Sequence, residues 1–209
     1  MSFTCKVQKK WQIAENTFAF ELVGDAENPL PPFEAGAHID IDAGPGYIRQ
    51  YSIANDPSEP NKYLLGILKT ENPGGVSSAL CNRVQEGDTL RLNGPRNHFP
   101  VDETAPFSLL IGGGIGITPM LAMGHRLHKI ERDFAIHFFA RSKETAPFYN
   151  EIKDLPFADK VHLYLDDQDG DPRMNLQKIL INAEVGSHVY TCGPNGFMTT
   201  VLHMAVHVV

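Results

Sequence analysis

The stretch Gly112-Gly113-Gly114-Ile115-Gly116-Ile117-Thr118-Pro119 directly follows an apolar segment, Phe107 to Ile111. A buried strand that runs into glycines and then into a helix is typical of the first strand–helix turn of a doubly wound α/β sheet. We expect Thr118 to cap a helix from Thr118 to Ile130. Pro119 then falls in the first turn, where a missing N–H is tolerated.

Strand and helix signals alternate after this turn. The predicted strands are Phe134 to Ala140, Val161 to Leu165 and His188 to Cys192, and the predicted helices are Ala146 to Leu155, Leu176 to Asn182 and Gly196 to Val206. This βαβ series predicts an α/β domain with a parallel sheet over residues 106–209.

The first half of the chain reads instead as short, often alternating strands separated by Pro, Gly, Asn and Asp. They are Phe3 to Lys9, Thr17 to Val23, His38 to Asp42, Tyr47 to Ala54, Tyr63 to Lys69 and Thr89 to Leu92, with one short helix from Ser77 or Ser78 to Val84. This pattern predicts an antiparallel barrel or sandwich over residues 1–100. Pro100 and Pro106 interrupt both patterns, so the boundary falls near Phe99 to Pro106.

Composition excludes several classes of protein. The 209 residues carry a net charge of -7 with acids and bases interspersed, which disfavours a nucleic-acid partner and weakly suits a basic protein surface. No apolar run approaches the ~20 residues of a membrane span, and residues 1–20 show no signal-peptide pattern. The three cysteines form no C-x-x-C pair, so we expect reduced thiols and a cytoplasmic protein.

Metal chemistry has little support in the sequence. The three cysteines cannot supply the four that a ferredoxin cluster uses, so no iron–sulfur cluster is expected within this chain. His203 and His207 have metal-ligand spacing, but no third ligand accompanies them. We interpret them as surface histidines and predict no metal site.

The glycine loop is not a standard fingerprint. Ile117 stands where G-x-G-x-x-G needs its third glycine, and no Gly-Lys-Ser/Thr of a P-loop follows. The loop alone fits a phosphate site or a plain tight turn. Its place at the carboxyl end of a strand in a doubly wound sheet favours the ligand site.

Two further groups fall on the same rim. Cys192-Gly193-Pro194 ends the last strand, where Cys192 is either a small half-buried residue or a sulfur that lies against a nicotinamide ring. Asp166 and Asp167 end the third strand of this half. A carboxylate there either accepts hydrogen bonds from ribose hydroxyls or belongs to a solvated acidic turn.

An ordered set of motifs carries a family resemblance. The motifs are Arg49-Gln50-Tyr51-Ser52, the stretches Gly94 to Pro100 and Gly113 to Pro119, Ala140-Arg141-Ser142, and Cys192 to Met198. Together they cover nearly the whole chain. The chain resembles the reductase components of Rieske non-haem iron oxygenases, of the phthalate dioxygenase reductase and vanillate demethylase reductase type, in the ferredoxin–NADP reductase superfamily.

The resemblance implies a flavin-binding antiparallel β-barrel followed by an NAD-binding α/β domain. Tyr51 would pack on the isoalloxazine, Ser52 would act at the reactive N5, and Arg49 would meet the flavin phosphate. The other flavin contacts implied are Gln50, Leu68, Lys69, Gly75, Val76, Ser77 and Ser78. Relatives of this type use FMN, so FMN is expected and FAD is the alternative.

The resemblance also implies a nucleotide site in the second domain, with Cys192 as its catalytic residue. The implied contacts are Gly113, Gly114, Ile115, Gly116, Ile117, Thr118, Arg141, Asp166, Cys192, Gly193, Pro194, Phe197 and Met198. Relatives that use NADP carry Ser and Arg where this chain has Asp166 and Asp167, so NADH is expected.

The function implied is hydride transfer from NADH to FMN, followed by delivery of single electrons to an iron–sulfur acceptor in a Rieske oxygenase system. The expected partners are a ferredoxin domain or protein and a terminal oxygenase, and the expected state is a monomer. Family members continue into a [2Fe–2S] domain, which these 209 residues do not include. Alternatives are a free-flavin reductase or diaphorase, and a non-catalytic nucleotide-binding module.

Overall fold

The computed structural model describes residues 2–42, 48–70 and 75–206. The chain divides into two compact units, Met1–Val101 (unit 1) and Asp102–Val209 (unit 2). Tyr47 of a predicted strand and His207 of the histidine pair lie outside the described residues. So does Gly74, the first residue of a glycine turn that the sequence predicts over Gly74 to Ser78, before the short helix.

Unit 1 is an antiparallel sheet with one helix in its described part. Its elements are β1 (Ser2–Ala14), β2 (Thr17–Val23), β3 (His38–Asp42), β4 (Ile48–Ser52), β5 (Lys62–Leu68), α1 (Val76–Arg83) and β6 (Thr89–Arg96). The strand order is β4-β3-β6-β1-β2-β5. Just after β4, Ile53 bridges to Leu65 in β5, so the two outer strands meet and the sheet closes into a barrel. The structure therefore confirms the antiparallel barrel.

β1 is longer than the sequence pattern predicted because it serves two partners. Its first residues, Ser2 to Lys6, pair with β6, and the stretch Lys6 to Ala14 pairs with β2. The register with β2 shifts between Val7 and Lys9 and again between Gln12 and Ala14. Such irregularities bend a strand and break the alternation by which its end is recognised.

Unit 2 is a parallel sheet flanked by helices. Its strands are β7 (Ser108–Gly113), β8 (Phe134–Ala140), β9 (Val161–Leu165) and β10 (His188–Cys192), and its helices are α2 (Ile117–Lys129), α3 (Tyr149–Ile152), α4 (Pro172–Ile181) and α5 (Asn195–Val206). The strand order is β10-β7-β8-β9. The predicted α/β domain with a parallel sheet is confirmed.

The order of the strands creates a switch point. From β7 the chain moves outward to β8 and β9, then returns to place β10 on the other side of β7. In open α/β sheets, ligands bind beyond the carboxyl ends of the strands at such a reversal. In this chain the two strand ends are Gly113 and Cys192, which follow from the bounds of β7 and β10.

Three predictions about helices need correction. Thr118 does not cap α2: Gly116 is the N-cap residue, and the Thr118 hydroxyl donates to the Ile115 carbonyl at 3.0 Å. The helix predicted from Ala146 to Leu155 shrinks to α3, because Phe148 adopts a left-handed backbone with φ of 61° and Pro147 disfavours the helical conformation at Ala146. α4 begins at Pro172, four residues before the predicted start, because the Asp171 side chain caps it.

Both faces of the parallel sheet are packed. On one face of the sheet, Ile136 and Phe138 are fully buried. On the other face, Leu109, Ile111 and Phe139 pack in a cluster with residues of α4 and α5. Among the helices of residues 2–42, 48–70 and 75–206, none has the length and apolar character needed to cross a membrane.

Candidate functional site

Tyr51 lies on the inner face of β4. It pairs in register with Ile39, which is fully buried, and packs against the barrel core. Its hydroxyl lies 2.9 Å from the Ser77 Oγ, which links β4 to the first turn of α1. Burial raises the pKa of the Tyr51 phenol, so it is neutral at physiological pH.

The start of α1 has no capping side chain. Gly75 is the N-cap residue and makes no side-chain hydrogen bond to the first turn, Val76 to Ser78. The partial positive charge of a helix N-terminus favours an anion. Arg49 is exposed and lies on the same face of β4 as Tyr51, two residues away. A cation, an aromatic ring and an uncapped helix start fit a planar ligand that carries a phosphate.

The remaining predicted flavin contacts of unit 1 differ in exposure. Gln50 is exposed and Ser52 is half-buried, and both lie on the face of β4 opposite Tyr51. Leu68 is 44% exposed. Lys69 is half-buried and its N–H donates to the Asn16 carbonyl at 2.7 Å.

In unit 2, the glycine loop and the end of β10 touch through their backbones. A Cβ on Gly116 would lie 2.2 Å from the Cys192 carbonyl oxygen, and a Cβ on Gly193 would lie 2.9 Å from the Gly113 oxygen. These distances are far below a normal contact, so larger residues would force the two loops apart. Glycine at these two positions is therefore required, in the first place, for the two loops to pack against each other.

Gly114 differs from its neighbours because the space beside it is open. Its φ is +52°, in the left-handed region that side chains disfavour, and a Cβ there would meet nothing within 4 Å. A short 3-10 turn, Gly114–Gly116, then enters α2 without a side-chain cap. This combination of a tight turn, open space and an uncapped helix start fits a pyrophosphate.

The side chains of Ile117 and Thr118 are buried, so any contact they make with a nucleotide runs through the backbone. Ile115 is half-buried. Phe197 covers the end of β7, since a Cβ on Gly113 would lie 2.8 Å from its ring. Pro194 is exposed, and Met198 is half-buried with its N–H donating to the Pro194 carbonyl.

Cys192 is half-buried at the end of β10. Burial raises the pKa of its thiol, and a hydrogen bond from the Gly193 backbone partly opposes that rise. The sulfur is therefore a neutral, polarisable group at neutral pH and not a thiolate nucleophile.

Arg141 and Asp166 follow β8 and β9 at the carboxyl rim of the sheet. Both are exposed, and the Asp166 N–H donates to the Ala140 carbonyl at 3.0 Å. Partial burial raises the pKa of the Asp166 carboxyl, and the nearby Asp167 and Asp171 add to that rise while Arg141 opposes it. The rim thus offers a carboxylate beside a cation, which suits hydroxyl groups of a sugar.

In the residues that the structure describes, no three His, Cys, Asp or Glu side chains come together as a metal site would require. His203 is exposed on α5.

Sequence reasoning missed one polar cluster on the barrel, formed by His38, Asp40, Arg96 and His98 (the β3 polar cluster). Asp40 is only 7% exposed and pairs with Arg96, and the rings of His38 and His98 lie 5.5 Å apart. The alternation of His38 and Asp40 with isoleucines marks one face of a strand. Nothing in the sequence shows that Arg96, 56 residues after Asp40, joins them.

A closed antiparallel barrel followed by a parallel sheet with a glycine-lined switch point defines the ferredoxin reductase-like class of flavoprotein oxidoreductases. Residues 4–100 match the family described as Oxidoreductase FAD-binding domain. In fold and in sequence the chain is similar to the reductases of the ferredoxin–NADP reductase superfamily, in the group of phthalate dioxygenase reductase and vanillate demethylase reductase.

Two curated relatives illustrate the similarity. The chain is 40% identical over 192 residues to vanillate O-demethylase oxidoreductase of Pseudomonas putida, covering 92% of this chain and 60% of that protein. It is 34% identical over 203 residues to phthalate dioxygenase reductase of Burkholderia cepacia, covering 97% of this chain and 63% of that protein. The chain thus spans about three fifths of the length of these relatives.

Among solved structures, phthalate dioxygenase reductase superposes with a TM-score of 0.89 at 34% identity, covering 99% of this chain and 64% of that one. That protein is described as a modular structure for electron transfer from pyridine nucleotides to [2Fe–2S]. The similarity supports a flavin and a pyridine nucleotide as the cofactors of this oxidoreductase.

Proposed function

We propose that this chain is the NADH-dependent flavin reductase portion of a Rieske-type oxygenase system. The observation that carries the proposal is the same in both units. Each has an uncapped helix start, at Gly75 in unit 1 and at Gly116 in unit 2, beside the residues predicted for its cofactor. The oxygenase reductases among the relatives support the choice of reaction.

Unit 1 holds FMN in this proposal. The amides of the first turn of α1 and the Arg49 guanidinium bind the phosphate, and Tyr51 supports the ring system. The Tyr51–Ser77 hydrogen bond fixes the aromatic ring relative to the helix start, so both contacts are positioned before the ligand arrives. Gln50, Leu68 and Lys69 complete the contacts, and Ser52 lies at the reacting edge.

Unit 2 holds NADH in this proposal. The open turn at Gly114 receives the pyrophosphate, Asp166 and Arg141 contact the sugar, and Cys192 with Gly193 borders the nicotinamide. The neutral Cys192 thiol places a polarisable atom beside the ring without adding charge.

When bound, the two cofactors supply the chemistry: the nicotinamide gives a hydride to the flavin, and the flavin releases electrons one at a time. The residues of the chain bind and orient these groups. Hydride transfer itself requires no side-chain acid or base, so the contribution of the protein is position and electrostatics.

The carboxylates Asp166 and Asp167 favour NADH over NADPH, since a 2'-phosphate would meet like charge at this rim. FMN is the proposed flavin and FAD the alternative. The proposed electron acceptor is an iron–sulfur protein or domain that serves a terminal oxygenase. Its cluster is not held by these 209 residues, because their three cysteines are too few to ligate a ferredoxin cluster.

An absorption spectrum of the purified chain before and after anaerobic addition of NADH tests the proposal. We expect a bound flavin that is identified as FMN after release, bleaching with NADH, and much slower bleaching with NADPH. Loss of the flavin on gel filtration would favour a free-flavin reductase, and a loaded protein that never bleaches would favour a binding module. A colourless protein that takes up neither FMN nor FAD would overturn the proposal.

A reconstituted assay tests the partner. We expect NADH oxidation with artificial acceptors, and electron delivery to an oxygenase only when a ferredoxin is added. Oxygenase turnover with these 209 residues and no ferredoxin would contradict the need for a separate iron–sulfur acceptor.

A further inference from the structure

Unit 2 contains a cavity of about 370 Å³ between its sheet and the last turn of α4. On the sheet side it is lined mainly by residues from the starts of β7 and β8, whereas the residues predicted for the nucleotide follow the carboxyl ends of the strands. Along β7, Leu109 of the cavity and Gly113 of the glycine loop are about 13 Å apart in an extended strand. None of the residues predicted for either cofactor lines the cavity.

Small side chains leave this space open. Ala135 pairs in register with Leu109, on the sheet face that packs against α4 and α5. The next residues of β8 on that face are His137 and Phe139, so Ala135 is the smallest of the three. The helix side contributes a second alanine, Ala183. Because a cavity of roughly 150 Å³ is enough to hold benzene, this one has room for a fused ring with a polar substituent.

Aromatic rings form one wall of the cavity. The Tyr164 ring stacks on Phe139 with centroids 4.7 Å apart and on His137 with centroids 5.7 Å apart. The His137 ring in turn stacks on His162 at 5.0 Å. Rings that are held in a row by their neighbours keep their orientation and form a rigid wall. Such a wall favours an aromatic ligand, which gains ring–ring contacts in addition to burial.

This wall also offers a hydrogen-bonding atom to a ligand. The His137 Nδ1 lies 3.1 Å from the Tyr164 hydroxyl. Burial, with a smaller contribution from His162, lowers the pKa of His137, so its ring is neutral at pH 7. In the described part of the chain, no residue forms a hydrogen bond with the Nε2 of this ring. The Nε2 of a neutral imidazole donates or accepts according to the tautomer, so it can pair with an N–H or O–H group on an aromatic ring.

The rim of the cavity carries one charge of each sign. Lys178 of α4 and Glu184, which follows the helix, both line the cavity and are exposed. Neither forms an ion pair with another described residue. A ligand that carries a carboxylate and an ammonium group would complement both charges. A ligand with a single charge would meet one opposite charge and one like charge.

We propose that this cavity binds an aromatic amino acid or a compound of the same chemical class, in which one end of an aromatic molecule carries an ammonium and a carboxylate. The ring occupies the space beside Ala135 and contacts the aromatic wall. The ligand carboxylate pairs with Lys178, the ligand ammonium pairs with Glu184, and the His137 Nε2 binds a polar hydrogen or a hydroxyl of the ring. The site goes beyond the proposed function and does not depend on it.

Three ligands with the same indole ring test the chemical class. L-Tryptophan carries both charges, tryptamine carries only the ammonium, and indole-3-propionate carries only the carboxylate. Isothermal titration calorimetry of the purified chain should give L-tryptophan a Kd below about 1 mM and each of the other two a Kd at least about tenfold higher. No binding of L-tryptophan, or equally tight binding of either singly charged compound, would overturn the proposal.

Charge variants assign the two ends of the ligand. Lys178→Met should weaken L-tryptophan by about fivefold or more and should not weaken tryptamine. Glu184→Gln should weaken L-tryptophan by a similar factor and should not weaken indole-3-propionate. Lys129→Met removes an exposed lysine at the end of α2 and is the matched control, which should leave all three affinities unchanged. Equal effects of Lys178→Met and Lys129→Met would contradict the assigned role of Lys178.

A filled cavity tests the location. Ala135→Leu should reduce L-tryptophan affinity by at least about tenfold, because the added side chain takes the place of the ring. Ala158→Leu, at a half-buried alanine that does not line the cavity, should leave the affinity unchanged. Normal binding by folded Ala135→Leu would place the ligand elsewhere.

Two readouts on wild type remain available if Ala135→Leu fails to fold. L-Tryptophan should shift the NMR signals of the His137 and Tyr164 rings, and saturating NAD⁺ should leave its affinity unchanged. Absence of these shifts, or competitive displacement by NAD⁺, would overturn the cavity site. The proposed function is tested separately by bleaching of the flavin with NADH, so its failure and the failure of this site are distinguishable.

Discussion

At the scale of single residues, two glycines of unit 2 differ in the space that is available for a side chain. A Cβ on Gly116 would overlap the Cys192 backbone, whereas a Cβ on Gly196 would meet nothing within 4 Å. We expect Gly116→Ala to lower the free energy of unfolding by about 2–3 kcal/mol or more. Gly196→Ala, in the first turn of α5, should be neutral or stabilising by up to about 1 kcal/mol.

Urea denaturation followed by circular dichroism measures both glycine variants. NAD⁺ affinity from calorimetry should fall with Gly116→Ala and stay unchanged with Gly196→Ala. Equal stability of the two variants would show that the loops separate without cost, contrary to the backbone contact in the structure.

His137 is a second residue for which the structure gives a testable prediction, here on how stability depends on pH. It stacks on His162 at 5.0 Å, and its Nδ1 lies 3.1 Å from the Tyr164 hydroxyl. Burial, with a smaller contribution from His162, lowers the pKa of His137 to about 4. The folded state thus resists a proton that the unfolded chain accepts below about pH 6.5.

The consequence is a loss of stability in acid. Above about pH 6.5, the titration of His137 does not change the free energy of unfolding. As the pH drops from there to about 4, the free energy of unfolding falls by up to roughly 3 kcal/mol, because the unfolded chain binds a proton that the folded chain does not. His137→Phe keeps an aromatic ring and removes the titration, so its stability should change less over that range. Urea midpoints at pH 4.5 and 7.5 measure the effect, and a wild-type difference equal to that of His137→Phe would refute it.

At the scale of elements, α1 depends on a lysine from another part of the barrel. The Lys10 ammonium donates to the Cys81 and Val84 carbonyls, at 2.7 Å each, at the carboxyl end of the helix. A cation there satisfies backbone acceptors and complements the helix dipole. We expect Lys10→Met to lower the free energy of unfolding by about 1–2 kcal/mol.

Because the other end of α1 is the proposed phosphate site, Lys10→Met should also weaken FMN binding several-fold. Lys9→Met is the matched control, since Lys9 is exposed and lies over the Trp11 ring at 4.8 Å. That variant should cost at most about 1 kcal/mol and leave FMN affinity unchanged. Flavin fluorescence titration measures the affinity, and equal losses in both variants would contradict the capping role.

The elements that were predicted best from the sequence are those with clear turn residues at both ends. The bounds of β2, β3, β8, β9 and β10 agree with the prediction, because each is a short run of apolar or alternating residues. Asp171 and Pro172 were a helix-start signal that the prediction of α4 overlooked. The left-handed backbone at Phe148, which shortens α3, had no signal beyond the preceding proline.

The candidate site likewise has a part that the sequence predicted and a part that it did not. Contiguous motifs such as Arg49 to Ser52 were visible in the sequence, and residues that share the glycine loop were grouped without knowledge of the fold. Contacts between strands were not visible. The meeting of Ser52, His38 and Arg96 depends on the register of three strands and on the shift that lies between His38 and Asp40 in the pairing with β6.

At the scale of the whole molecule, the chain is two compact units, each with its own core and its own proposed ligand. A ligand that binds only the folded state stabilises what it touches, by about 2.7 kcal/mol at a hundred times its dissociation constant. FMN should therefore slow amide hydrogen exchange in unit 1, most strongly in β4 and the first turn of α1. NAD⁺ should slow it in unit 2, at Gly113 to Thr118 and around Cys192.

Hydrogen exchange with mass-spectrometric detection resolves the two units peptide by peptide. Slowing by up to about a hundredfold is expected at the segments named, because exchange from a locally opened state follows the free energy of that opening. Arg49→Ala should remove the FMN effect and keep the NAD⁺ effect, since the guanidinium belongs to unit 1 only. Protection of β4 by NAD⁺ with no flavin present would contradict the assignment of one cofactor to each unit.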